Sequence, residues 1–157
     1  MTPAARVAIA IGSNLGDREA NLDFAVDRLP PFISDLIVST YVETAPMGVA
    51  DQPMFLNAAL VGTTLLPPAG LLNAMLTIEA ACGRTRPHRG AARTLDLDLI
   101  LYGDQVLNEP RLIVPHPRFR ERQFVLAPLA AIAPDAVDPV TGSTVVELLQ
   151  QLRLASR

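Results

Sequence analysis

Lysine and tryptophan are absent from this 157-residue chain, and cysteine occurs once. Without lysine there is no Walker-type P-loop, which needs Gly-x-x-x-x-Gly-Lys-Ser/Thr. A lone cysteine, Cys82, closes no internal disulfide and excludes both a CxxC motif and a four-cysteine zinc site. The setting expected from this is a reducing cytoplasm. Long apolar runs are missing too. The longest are short stretches such as Val7 to Ile11, far from the roughly 20 residues that cross a bilayer. The five apolar residues after Arg6 are too few for a signal-peptide core. Positive charge is not in excess either: the formal net charge of −3 rules out a generally basic nucleic-acid coat. Half of the residues are apolar, so a core can form without a disulfide or structural metal. The length fits one compact domain over residues 1–157.

What is present is unevenly placed. All 13 basic residues are arginine, and eight of them (Arg84, Arg86, Arg89, Arg93, Arg111, Arg118, Arg120 and Arg122) fall between positions 84 and 122. Both histidines, His88 and His116, fall there as well. Before position 84 there are three arginines against eight acids. An acidic shell around a local guanidinium cluster points to a small polyanionic ligand. An arginine-rich genome would explain arginine in place of lysine, but not the clustering.

The chain reads as alternating strands and helices. Arg6 to Ile11 is a buried strand ended by Gly12-Ser13-Asn14, with Asn14 as the expected N-cap of a helix running to about Leu29. Pro30-Pro31 stops that helix. Ile33 to Glu43 is expected as a second strand and Phe55 to Leu65 as a third. Pro67-Pro68 opens a second helix with Leu71, Met75, Ile78 and Cys82 on one face. Gly83 to Ala92 is a polar loop. Thr94 to Tyr102 is the clearest strand, with period-two alternation interrupted at Ile100. Short strands beside turns at 103–104 and 108–110, a helix over Phe124 to Ile132 despite Pro128, and a terminal helix over Val145 to Leu152 complete the reading. The order β-α-β-β-α-β over 6–102 is the ferredoxin-like α+β arrangement: an antiparallel sheet with both helices on one face and the other face left for a ligand or the C-terminal segment.

Asp96 and Asp98 are the centre of the chemistry. Residues i and i+2 of a strand share a side, so both carboxylates leave one face while Leu95, Leu97, Leu99 and Leu101 line the other. At ~3.4 Å per residue their Cα atoms lie roughly 7 Å apart. Two carboxylates so spaced suit Mg2+, which takes one or two carboxylates together with substrate phosphates and water. Solvated aspartates on an exposed strand would look the same in sequence. The neighbouring arginines tip the balance: cations for phosphate oxygens beside anions for Mg2+ make a nucleoside-triphosphate site the simplest explanation. His116, held between Pro115 and Pro117, can hydrogen-bond a phosphate, although a lone histidine in such a segment is more often structural. Gly12-Ser13-Asn14-Leu15-Gly16 can hold an anion on its backbone N–H groups, but reads first as a turn with a cap. Phe55 and Asn57 alternate at the start of a strand, one ring beside one carboxamide, a pair that suits the amide-like edge of a heterocycle. Phe124 offers a further ring.

These residues fall in six blocks: AIGSNLGD (10–17), ETAPMG (43–48), DQPMFLNAAL (51–60), IEAACGRTR (78–86), RTLDLDLILYG (93–103) and RLIVPHPRFRERQFVLAPL (111–129). In content, order and spacing they resemble the 6-hydroxymethyl-7,8-dihydropterin pyrophosphokinase family of folate biosynthesis. The resemblance implies pyrophosphate transfer from ATP to the hydroxymethyl group of the pterin, with release of AMP. It implies that Asp96 and Asp98 bind two Mg2+ ions, and that Arg84 and Arg93 join them in catalysis. Glu79, Arg84, Arg86, Arg93, Arg111, His116 and Arg122 would surround ATP. Asn57 would read the pterin edge, Phe55 and Phe124 would sandwich the ring, and backbone near Thr44, Ala45 and Met47 would complete the pocket. The 83–92 loop would close over both substrates. Partners are then two small molecules, with no nucleic acid and no membrane. Departures from the family pattern are Ala45 for a usual proline, Phe55 for a frequent tyrosine, Gly90-Ala91-Ala92 where a bulky aromatic is common, and Pro117 where a tyrosine is.

Two other readings use the same residues. A nucleotidyltransferase also pairs a Gly-Ser turn with Asp-x-Asp, but in that class the two motifs lie close together in the chain. A ferredoxin-like RNA-binding module stacks bases on exposed strand aromatics in a basic field. The acidic total and the 4% aromatic content disfavour that second reading.

Overall fold

Val7, Ile9 and Ile11 leave the first strand on one side, and Ala8, Ala10 and Gly12 on the other. That alternation sets the layering of the whole chain. The structure is a computed structural model that describes residues 3–44, 54–83 and 94–156. The expected site residues Ala45, Met47, Arg84, Arg86 and Arg93, and with them most of the 83–92 loop, lie outside the described residues.

The sheet contains β1 (Ala5–Ser13), β2 (Ser34–Val38), β3 (Val42–Thr44), β4 (Phe55–Thr64) and β5 (Asp96–Tyr102). Its order is β2-β4-β1-β5, β3 also pairs with β4, and every pairing is antiparallel. On one face, Val7, Ile9, Ile11, Leu60 and Leu97 pack against Leu22, Ala25 and Leu29 at helix α1 (Arg18–Arg28) and against Leu71, Met75 and Ile78 of helix α2 (Pro68–Cys82). On the other, Ala8, Ala59, Val61 and Ile100 pack against Val125, Leu126 and Leu129 of α3 (Gln123–Ile132) and Val145, Leu148 and Leu149 of α4 (Val145–Ala155). The second face is therefore covered over this part by the C-terminal segment. A hairpin of β6 (Leu107–Glu109) and β7 (Leu112–Val114) follows β5.

Three details differ from the sequence expectations. The N-cap of α1 is Asp17, whose carboxylate accepts the Ala20 N–H at 3.0 Å. Asn14 instead is buried at the end of β1. The strand expected over 33–43 is two strands, because buried Ser39 takes over a ladder position with its hydroxyl: its Oγ accepts the Ala59 N–H at 2.9 Å. In β5 the alternation slips. The register moves from Ile9↔Leu99 to Ala8↔Leu101, so Ile100 is an extra residue and a β-bulge forms. Leu101 therefore joins the α3–α4 face, while Leu95, Leu97 and Leu99 stay on the α1–α2 face. Asp96 and Asp98 precede the bulge, and their shared face is kept.

Candidate functional site

Asn57, Gly12 and Asp96 occupy one transverse row of the sheet, because Gly12 pairs with Asn57 on β4 and with Asp96 on β5. In the next row, Ala10 pairs with Ala59 and Asp98. All of these positions lie on the α3–α4 side. Two strand spacings separate Asn57 from Asp96, about 10 Å between Cα atoms. The strand between them presents only Gly12 and Ala10, so this end of the face is a shallow trough floored by small residues.

At one end of the trough, Asn57 is 6% exposed. Its Nδ2 donates to Thr44 Oγ1 at 2.5 Å. A Cβ at position 12 would lie 2.9 Å from Asn57 Oδ1, so glycine there is what lets the amide lie across β1. Phe55 pairs with Thr44 at the start of β4 and is half-buried. Phe124, also half-buried, stands at the start of α3 beside the second core, with the Arg122 guanidinium 5.6 Å from its ring centroid.

At the other end, Asp96 and Asp98 are each half-buried. Leu97, the residue between them, donates its N–H to the Glu79 carboxylate at 2.6 Å. Glu79 thus fixes the carboxylate-bearing strand to α2, a contact that the sequence did not reveal. A cavity of about 230 Å3 opens beside β5, lined by Leu72, Asp98, Arg111 and His116 among others. The His116 backbone N–H donates to Ile100 O at 2.9 Å, and the ring Nδ1 accepts the Arg118 backbone N–H at 3.1 Å. Nδ1 is then the unprotonated nitrogen of the neutral ring, and Nε2 carries the hydrogen. Burial pushes the imidazole below its ordinary pKa; Asp98 pulls it back, while Arg122 and Arg118 push it down further. The three groups Asp98, His116 and Arg122 are therefore electrical neighbours. Among the described residues no set of three or more His, Cys, Asp or Glu side chains gathers into a metal cluster. A pair of hard oxygen donors beside an open cavity fits Mg2+ that shares its shell with phosphates and water.

The arginine cluster divides. Arg111 and Arg122 stand at the cavity and the trough. Arg118 is exposed and pairs with Glu121 at 3.2 Å. Arg120 reaches away, donating from Nη2 to the fully buried Asp138 at 2.9 Å. Burial alone would push Asp138 up, but bonds from Arg120, Thr141 and the Val140 N–H outweigh it and hold the carboxyl below its ordinary range.

Paired carboxylates facing one way beside guanidinium groups supply the donor chemistry of phosphate transfer, and the class is a phosphotransferase on an antiparallel α+β frame. The profile of the 7,8-dihydro-6-hydroxymethylpterin-pyrophosphokinase (HPPK) family matches residues 8–134. The chain belongs to that family. It is 45% identical over 149 residues to the 2-amino-4-hydroxy-6-hydroxymethyldihydropteridine pyrophosphokinase of Methylorubrum extorquens, covering 94% of this chain and 93% of the relative. To the Bacillus subtilis protein of the same name it is 44% identical over 137 residues, 86% and 82% of the two chains. A wild-type Plasmodium falciparum HPPK-DHPS structure with pterin and p-hydroxybenzoate superposes with a TM-score of 0.76 at 14% identity. The chain spans 45% of that longer protein, and 99% of this chain is covered. At that identity the likeness is one of fold. No helix among the described residues is long and apolar enough to cross a membrane.

Proposed function

We propose that this chain transfers pyrophosphate from ATP to the hydroxymethyl group of 6-hydroxymethyl-7,8-dihydropterin, releasing AMP, as a step of folate synthesis. Family membership supports the reaction. The observation that carries the assignment of residues is the row Asn57–Gly12–Asp96, which sets a buried amide about 10 Å from a carboxylate across a floor of small side chains. A bicyclic heterocycle lying along that row has its amide edge at Asn57 and its hydroxymethyl arm toward Asp96 and Asp98. The whole of 1–157 acts as one catalytic unit, and the order β2-β4-β1-β5 supports a ferredoxin-like frame for it.

Each chain residue has a physical task. Asn57, oriented by Thr44, offers donor and acceptor to the pterin, with Phe55 and Phe124 on the two faces of the ring and backbone near Ala45 and Met47 closing the pocket. Arg111, Arg122 and the Nε2–H of His116 hold phosphate oxygens from the cavity side, joined by Arg84, Arg86 and Arg93 from the arginine-rich loop. Glu79 keeps the β5 backbone in place beside ATP. Asp96 and Asp98 would hold two Mg2+ ions. Ions bound there would neutralise phosphate charge and ease deprotonation of the attacking hydroxyl. The hydroxymethyl oxygen gives up its proton to water as it forms a bond to the β-phosphorus. The bond from that phosphorus to the oxygen bridging it to the α-phosphorus breaks, and AMP leaves with the electron pair. Positioning supplies most of the rate, because little covalent work falls to the protein.

Nucleotidyl transfer would use the same cations on the α-phosphorus. The RNA-binding reading needs an open strand face, and α3 and α4 lie on part of it. Phosphorus NMR of the protein with ATP, Mg2+ and the hydroxymethyl pterin distinguishes the enzymatic readings. AMP and a pterin diphosphate are expected; free pyrophosphate with a nucleotidylated pterin would overturn the assignment.

A further inference from the structure

Two side chains in the first turn of α1 hold opposite ends of the trough, and neither belongs to the substrate-binding set above. Arg18 donates from Nη1 to Met54 O at 2.7 Å and pairs through Nη2 with Glu43. Glu43 pairs in the sheet with Leu56, and the neighbouring Thr44 pairs with Phe55. Arg18 therefore ties β3 to the start of β4, the strand pair that carries Thr44, Phe55 and Asn57. Its own exposure is 28% and that of Glu43 is 51%, so this contact adds little to global stability.

Asn21 lies three residues further on. Its Nδ2 faces Ser13 Oγ at 3.1 Å, Leu15 O at 2.9 Å and Thr94 O at 3.3 Å, and its Oδ1 accepts the Cys82 thiol at 3.6 Å. One carboxamide thus joins the end of β1, the residue two before Asp96 and the last turn of α2. Residues 43 and 54 stand on either side of 45–53 in the chain, and 82 and 94 on either side of 84–93. Positions i and i+3 of a helix share a face, so one rigid turn reaches both sides of the site.

We propose that this turn is a positioning element, with Arg18 setting the pterin-side strand pair and Asn21 setting the start of the aspartate strand against β1. The inference rests on the functional reading above. Steady-state kinetics of Arg18→Met and Asn21→Asp test it; the second substitution keeps the shape and removes the donor. Arg18→Met is expected to raise the KM for pterin about tenfold, leaving the Mg2+ requirement within about twofold of wild type. Asn21→Asp is expected to raise the Mg2+ concentration for half-maximal rate about tenfold and to move the pterin KM by less than about twofold. Arg18→Lys, which can still reach Glu43, should recover part of the pterin KM. A fall in kcat alone for both variants, with the other constants at wild-type values, overturns the proposal, because a merely structural loss lowers only the active fraction. Hydrogen exchange needs no turnover and separates this inference from the functional reading. Exchange should quicken at 42–44 and 54–57 in Arg18→Met and at 94–98 in Asn21→Asp. Equal quickening of both segments in each variant, or no change in either, overturns the positioning role whatever reaction the wild type performs.

Discussion

A Cβ at position 12 would sit 2.9 Å from Asn57 Oδ1, and the amide cannot easily swing aside because its nitrogen is bound to Thr44. Gly12→Ala should therefore cost pterin affinity, by about tenfold or ~1.4 kcal/mol, with ATP affinity unchanged. Titration calorimetry with each ligand checks this, and equal weakening of both would count against the trough. Truncating the amide itself, Asn57→Ala, should likewise weaken pterin capture more than nucleotide capture. The two aspartates were legible in the sequence because a period of two is a local property of strands. Glu79 as an amide acceptor was not legible, because Leu97 is 18 residues away. Arg18 and Asn21 escaped for the same reason: their partners lie up to 36 and 73 residues off, and no local pattern encodes such pairs. The arginine cluster overstated its own meaning, since Arg120 is committed to Asp138 rather than to a ligand.

At the scale of elements, β5 is the piece on which the site depends. It is an end strand of its sheet, and an end strand needs fastening on its open side. The Glu79 carboxylate does this at Leu97, between the aspartates. A charge-assisted bond of this kind contributes about 1.5–3 kcal/mol. Glu79→Ala should lower the thermal midpoint modestly and the turnover more than the midpoint explains, read by AMP release at matched folded fraction. The bulge at Ile100 was half visible in the sequence, as a break in alternation. Its consequence, Leu101 crossing to the other face, was not visible, because only pairing with β1 fixes which residue is the extra one. The split of β2 from β3 was hidden in the same way: Ser39 substitutes its hydroxyl for a backbone group only once Ala59 lies opposite.

The whole molecule is a sheet between two helical layers, and its C-terminal layer is pinned by a buried ion pair. Asp138 is fully buried with four donors around its carboxylate. Its pKa is lower folded than unfolded, so its contribution is fully present above about pH 4 and is lost as pH falls through the folded value. Asp138→Asn should destabilise the protein by about 2–4 kcal/mol at pH 7 and flatten the loss of stability below pH 4, as followed by urea unfolding at several pH values. Phe119, wholly buried in the same layer, should cost about 3–5 kcal/mol when cut to alanine. Most of the layering was readable from apolar spacing. The covering of the second face by α3 and α4 was left open by the sequence, because its apolar alternation shows that a strand face is buried but not which segment buries it.

The most direct measurement is AMP release by Asp96→Asn and Asp98→Asn, each verified as folded by circular dichroism, with saturating ATP, Mg2+ and hydroxymethyl pterin. Both variants should lose at least about a thousandfold in rate, ~4 kcal/mol of barrier, with unfolding midpoints close to wild type. Turnover within about tenfold of wild type in either variant would contradict the claim that these two carboxylates, side by side on one sheet face, hold the metal that the transfer requires.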